Sequence, residues 1–205
     1  MSAGLVVVDY RAGNLRSVET ALRHLGADFS ISGSPEEVDT AERLIVPGVG
    51  EARAAMEQLA VTGLDRAIDA FWRTGRPLLG ICLGCQIIFD RSEERSVRCL
   101  GFLAGKVRRF SPEPDRKVPH MGWNRVFQAR SHPLFEGIPD GAFFYFVHSY
   151  YPQPSEAETV IGECEYGLRF AAAVARDNLT ACQFHPEKSA ANGLRLLANF
   201  LDWKP

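Results

Sequence analysis

Apolar and polar positions along the 205 residues follow two alternating patterns. Leu5 to Val8 and Leu44 to Val46 are unbroken apolar runs, typical of strands buried on both faces of a parallel sheet. Phe29 to Ile31 reads as a further strand, and Pro77 to Ile81 as another. Between them the apolar positions take helical spacing. Leu15, Val18, Leu22 and Leu25 recur on one face, with Gly26 as the stop. Ser34-Pro35-Glu36-Glu37 opens a helix with Ser as N-cap, Pro at N1 and Glu at N3. Glu51 to Leu59 and Leu64 to Trp72 predict two more helices. This order implies an α/β fold: a doubly wound, mostly parallel sheet with helices on both faces. In such sheets the ligand site lies beyond the carboxyl ends of the strands.

The second half is richer in short strands. Lys106 to Phe110, Asn124 to Gln128, Ala142 to His148, Thr159 to Glu163, Ala171 to Arg176 and Leu179 to Phe184 all read as β, with Asp177-Asn178 as a two-residue hairpin turn. Antiparallel strands added at one edge of the sheet are expected. Leu194, Leu197, Ala198 and Leu201 give a closing amphipathic helix, and Ser111 to Asp115 is a polar, proline-rich loop. No repeat or linker interrupts the pattern, so residues 1–205 are expected to form one domain.

Composition narrows the function classes. Hydrophobic content of 46% and charged content of 23% are ordinary globular values. A net charge of −2 gives no electrostatic case for nucleic acid or an anionic membrane. No run approaches the ~18 apolar residues needed to span a bilayer. The opening Met1-Ser2-Ala3-Gly4 has no basic region or cleavage site, so export is not expected. Five irregularly spaced cysteines read as free thiols of a reducing cytoplasm.

The candidate chemistry lies at three strand ends. Gly80-Ile81-Cys82-Leu83-Gly84 stands between a strand and the helical Gln86-Ile87-Ile88-Phe89, like the nucleophile elbow of α/β hydrolases with Cys for Ser. Such a turn lifts the sulfur clear of the sheet and aims a helix N-terminus at it, which favours thiolate. A nucleophile needs a base, and the base an orienter. His185 and Glu187, two apart around Pro186, would point the same way on an extended segment. Pro47-Gly48-Val49-Gly50 ends a third strand, and its glycines free backbone N–H groups to face a ligand. The amide of Val49 or Gly50, paired with that of Leu83, is the expected oxyanion site. Singly, a cysteine or a histidine is usually core packing and P-G-x-G an ordinary turn; three such features at one sheet edge are not. Cys82 and Cys85 also form C-x-x-C, but a redox reading leaves the His185 segment and the glycine loop unexplained, and no second pair completes a zinc site.

These segments resemble the class I, triad-type glutamine amidotransferases. Asp9 to Val18, Pro119 to Asn124, Tyr145 to Tyr150 and His185-Pro186-Glu187-Lys188-Ser189 are similar to the glutaminase subunits of imidazole glycerol phosphate synthase, almost end to end. The resemblance implies a flavodoxin-like fold, with Cys82, His185 and Glu187 as the triad. It implies that Gln86 and the backbone around Ser149 and Tyr150 hold the α-amino and α-carboxylate groups of glutamine. No metal or organic cofactor is implied. The implied partner is a (β/α)8-barrel cyclase subunit in a heterodimer, approached by Trp123, Asn124, Tyr145 and Lys188. Ammonia would pass to it for the synthesis of imidazole glycerol phosphate and an aminoimidazole carboxamide ribonucleotide. Family glutaminases of this kind idle until the partner holds its ligand, and rotation of the Gly48–Val49 peptide is the expected switch. The chain stops at Pro205, so the partner is expected to be a separate chain. His148, with no carboxylate at matched spacing, is expected to be structural or interfacial. Arg11 stands where the family usually has Gly, Ala181 where a Gly commonly precedes the His-Pro-Glu strand, and Cys85 where an apolar residue is commoner. A reversible Cys82–Cys85 disulfide and simple burial of Cys85 are the two readings of that last departure. Amidotransferases of anthranilate or guanylate synthesis share the triad, and a non-catalytic binding module could share the fold.

Overall fold

The computed structural model describes residues 4–11, 13–112 and 117–205. Residues 1–3, Ala12 of the opening motif and residues 113–116 of the proline-rich loop lie outside the described residues. Along the chain run Leu5–Val8 (β1), Leu15–His24 (α1), Phe29–Ser32 (β2), Pro35–Thr40 (α2), Arg43–Gly48 (β3), Ala52–Thr62 (α3), Leu64–Arg73 (α4), Leu78–Cys82 (β4), Leu83–Ile87 (α5), Phe89–Ser92 (β5), Val97–Arg98 (β6) and Leu103–Arg109 (β7). Then follow His120–Gln128 (β8), Ala142–His148 (β9), Tyr150–Pro154 (β10), Val160–Glu165 (β11), Arg169–Arg176 (β12), Leu179–Cys182 (β13) and Ala190–Asp202 (α6).

Within the described residues nine strands form one sheet in the order β2-β1-β3-β4-β13-β12-β11-β8-β9. From β2 to β13 every pairing is parallel. From β13 to β9 every pairing is antiparallel, so the added strands sit at one edge. The period-2 geometry of a strand explains the apolar run of β1. Leu5 and Val7 face a layer with Val18, Ala21 and Leu22 of α1 and Leu196, Leu197 and Phe200 of α6. Val6 and Val8 face the opposite layer, which holds Val38, Leu59, Ile68 and Phe71 of α2, α3 and α4. Buried on both sides, β1 has no polar face to offer.

Four expectations need correction. The helix after Cys82 starts at once and lasts five residues, and Phe89 already belongs to β5. Lys106 to Arg109 lies in β7 of a separate four-stranded sheet, β10-β7-β5-β6, rather than on the large sheet's edge, and Phe110 falls just past it. Leu179 to Phe184 keeps strand geometry only to Cys182. The closing helix buries Gly193, Leu196, Leu197 and Phe200, about one position round from the expected face. The second sheet escaped the pattern because β5 shows an apolar residue only at Phe89, β6 has two residues, and β10 carries Pro152 and Pro154. Prolines are tolerated in β10 because it is the edge strand of that sheet. No helix among the described residues is long and apolar enough to cross a membrane.

Candidate active site

Cys82 ends β4 with φ 53° and ψ −101°, outside the regions that side chains ordinarily adopt. The flanking glycines have a different reason. A Cβ on Gly84 would run into the Val46 carbonyl, and one on Gly80 would come within 2.8 Å of the Gly84 carbonyl. They let α5 lie directly on β3 and β4 and so fix the turn. Because α5 is little more than one turn, its dipole gives the sulfur less support than a full helix would.

His185 and Glu187 meet, though not on an extended segment. Pro186–Lys188 is a 3₁₀ turn capped by His185, and this turn brings His185 Nδ1 within 2.7 Å of Glu187 Oε1. Asn14 Nδ2 donates to the same Oε1 at 2.6 Å. His185 Nε2 and Glu187 Oε2 are buried and without hydrogen-bond partners. Burial alone would lower the imidazole pKa, but Cys82 and Glu187 outweigh it and hold the ring's pKa up at about 10. The ring is therefore poised as an imidazolium between a sulfur and a carboxylate.

Cys82, Leu83, Val49, Gly50, Gln86, Glu94, Ser149 and Tyr150 line one cleft of ≈ 440 Å³, the scale of a small-molecule site. The amides of Val49 and Gly50 donate to no other described residue. Gly48 lies against the Tyr10 hydroxyl and Leu83 Cβ, so a side chain there has no room. The Tyr10 hydroxyl is buried and unpaired, and its pKa is raised by burial first and then by Cys82.

Gln86 is buried, and its Nε2 donates to the Tyr150 carbonyl at 3.0 Å and to Gln183 Oε1 at 3.0 Å. Glu94 Oε2 caps α3 through the Ala52 amide at 2.7 Å, and burial raises this carboxyl's pKa. His148 is structural. Its Nδ1 must donate to the Tyr150 carbonyl at 2.8 Å, so its Nε2 accepts from His120 Nδ1 at 2.9 Å. His120 Nε2 in turn accepts from Asn124 Nδ2 at 3.2 Å.

Among the residues expected to meet a partner, Trp123 is 52% exposed and packs edge-on to Tyr145, with ring centroids 6.1 Å apart. Met121, Phe127 and Phe143 are also exposed on this edge of the sheet, and Lys188 is exposed on the His185 turn. Asn124 is the exception. Strand alternation turns it to the opposite face of β8, where it bonds His120 and the Glu165 carbonyl. Cys85 is fully buried in the α2–α4 layer, while Cys82 belongs to the other; both thiols are free. Burial also pushes the Cys85 thiol's pKa up, which makes it a small core hydrophobe.

Sequence reasoning assigned no role to Asn14, Glu94 or Gln183. Asn14 stood within the quoted opening motif just past β1, at the same carboxyl edge. Gln183 lies two residues before His185, the spacing already used for Glu187. Glu94 had no signal, because it reaches the cleft from a 3₁₀ turn after the unforeseen β5.

The glutamine amidotransferase class-I family profile matches residues 6–203. The imidazole glycerol phosphate synthase subunit HisH of Nitratidesulfovibrio vulgaris is 50% identical over 202 residues, covering 96% of this chain and 94% of that one. Its counterpart from Methanosarcina mazei is 49% identical over 201 residues, covering 97% and 98%. Among solved structures, PurLQS from Thermotoga maritima superposes with a TM-score of 0.76 at 19% identity, covering 98% of this chain and 99% of that one. A glutamine amidotransferase crystal structure gives 0.74 at 22% identity, covering 97% and 98%. These two establish likeness of fold. With the profile matching nearly every residue and relatives near half identity end to end, the chain belongs to the class I glutamine amidotransferases, in the family of the HisH subunits of imidazole glycerol phosphate synthase.

Proposed function

We propose that this chain hydrolyses glutamine to glutamate and ammonia and passes the ammonia to a cyclase subunit that makes imidazole glycerol phosphate and aminoimidazole carboxamide ribonucleotide. The observation that carries the reading is the buried His185, tied through Nδ1 to Glu187, which Asn14 holds in turn, and left with a free Nε2 beside Cys82. The Cys82 thiolate attacks the side-chain amide carbon of glutamine. The negative oxygen of the tetrahedral intermediate takes hydrogen bonds from the Leu83 amide and that of Val49 or Gly50. Nε2–H of His185 protonates the leaving nitrogen, and ammonia departs. The neutral ring then takes a proton from water as that water attacks the thioester. The carbon–sulfur bond breaks, glutamate is released, and thiolate and imidazolium are restored.

Glu94 and the free Oε1 of Gln86 offer acceptors for the substrate's α-ammonium, and backbone at Ser149 and Tyr150 meets the α-carboxylate. The partner, a (β/α)8 barrel in a heterodimer, covers the Trp123 and Tyr145 face and Lys188. Residues 1–205 act as one amidotransferase domain in the cytoplasm, with no metal or organic cofactor. The test is glutamate release from glutamine by the purified chain, alone and with the ligand-loaded cyclase, against Cys82→Ala. Low activity alone, a large rise with the partner and none in the variant is the expected result. Equal activity with and without the partner would remove the pathway, and Cys82→Ala at parental rates would remove the chemistry.

A further inference from the structure

Gln183 is the least explained group near the sulfur. Its side chain is completely buried, and its Nε2 lies 3.7 Å from Cys82 Sγ, a hydrogen-bond length for sulfur. The direction of each bond is forced. The Tyr150 carbonyl can only accept, so the Gln86 atom 3.0 Å away is its NH₂ group. The second hydrogen of that group goes to Gln183, whose facing atom is therefore the carbonyl Oε1. The NH₂ group of Gln183 is left pointing at the sulfur. Its backbone is also pinned, with its amide on the Ala172 carbonyl at 2.8 Å.

We propose that Gln183 is a thiolate donor of the catalytic centre, and that Gln86 is the positioning residue that locks its carboxamide to the Tyr150 carbonyl. This rests on Cys82 being the nucleophile. Chemistry gives the donor a reason. His185 must lose its proton to ammonia during the first half-reaction, and the sulfur must leave as an anion in the second. An amide N–H does not titrate, so Gln183 can support negative sulfur at every stage, whatever the state of the ring. Gln86 joins one wall of the cleft to the nucleophile through its NH₂ group and keeps Oε1 for the substrate.

The test is the rate of Cys82 alkylation by neutral iodoacetamide as a function of pH, followed by peptide mass mapping. It uses the full chain and needs neither glutamine nor partner. Gln183→Met, close in size and without a donor, should move the rate–pH curve up by about one unit. Gln86→Leu, which frees the carboxamide to turn, should move it in the same direction by less. In the partner-stimulated assay Gln183→Met should lower kcat more than it changes KM for glutamine. A loss of packing alone would lower the melting temperature and leave the curve in place. Superimposable curves for parent and both variants would overturn the inference, and Gln86→Leu decides it alone if Gln183→Met does not fold. Failure of parental Cys82 to label at any pH would overturn it together with the nucleophile it rests on.

Discussion

The backbone amide of His185 donates to the carbonyl of Tyr145 at 2.9 Å. Ser189 closes the link: its hydroxyl donates to the His185 carbonyl at 2.6 Å and accepts from the Tyr145 amide at 2.9 Å. The candidate base is thus bound through backbone to β9, the outermost strand of the sheet, whose Phe143 is exposed to solvent. Any load placed on β9 reaches the imidazole through one layer of hydrogen bonds.

That link makes Ser189 a sensitive position. It is 1% exposed, and Ser189→Ala leaves the Tyr145 amide without a partner, while the His185 carbonyl keeps the Lys188 amide at 3.0 Å. Leaving such a group unpaired costs about 1–3 kcal/mol. The variant should lose roughly 2 kcal/mol in urea unfolding, and its partner-stimulated glutaminase rate should fall further than its fraction folded does. Parental stability would show that the link carries no weight.

Asn14 should act through Glu187. Its Nδ2 shares Oε1 with the imidazole, and α1 begins immediately after it, so the side chain is anchored at a helix start. Removing a charge-assisted bond of about 1.4 kcal/mol corresponds to tenfold in rate. Asn14→Ala should lower kcat about tenfold, with KM for glutamine little changed. A rise in KM with kcat intact would place Asn14 in substrate binding instead.

Arg11 sits at φ 64°, in the left-handed region that glycine occupies without strain. This gives a physical basis for the glycine usual at this position in the family. Among the described residues only its backbone amide is engaged, on Asp9 Oδ1 at 2.9 Å, and glycine keeps that bond. Relief of strain exceeds the added freedom of the unfolded chain, so Arg11→Gly should gain about 0.5–1 kcal/mol in chemical unfolding. A loss of stability would mean the Arg11 side chain contributes more than its geometry costs.

The sequence pattern was strongest where burial on both faces left no ambiguity, as in β1, or where a buried face alternated cleanly with a more open one, as in β9. β1 and β9 have the predicted bounds, and β3, β4, β12 and α1 differ by a few residues at their ends. The elbow, the Pro47–Gly50 loop and the His185 segment were legible because each needs unusual residues at fixed spacing. The parts that escaped depend on tertiary placement. Glu94 reaches the cleft from a turn, and Asn14 reaches Glu187 across 173 positions of sequence. The facing direction of Asn124 follows from alternation once β8 is known to begin at His120 rather than at Asn124 itself. Gln183 needed the position of Gln86, which follows only once α5 is known to be a short, buried helix.

The histidines predict an asymmetric pH profile. Burial lowers the pKa of His120 to about 4, that of His148 to about 3 with His120 adding to it, and that of His132 to about 4 with Arg130 adding to it. Each is near 6.5 in the unfolded chain, so between pH 6.5 and about 4 the unfolded state binds more protons and stability falls as pH falls. His185 runs the other way. Its folded pKa of about 10 lies above 6.5, so its stabilisation is full below pH 6.5 and is lost as pH rises towards 10. His132→Asn isolates the acid limb, because an asparagine oxygen can replace the ring Nδ1 that accepts from the Leu134 amide at 3.1 Å. Between pH 5 and 6 the unfolding free energy of this variant should rise less steeply with pH than the parent's, by up to about 1.4 kcal/mol per pH unit, the value for one proton. Glu187→Gln isolates the alkaline limb, because it removes one of the two groups that hold the His185 proton. Its stability should fall less between pH 7 and 9 than the parent's. Urea midpoints measured across both ranges decide the matter: parallel curves on the acid side would place the His132 proton uptake outside folding, and parallel curves on the alkaline side would remove Glu187 as a holder of the imidazolium.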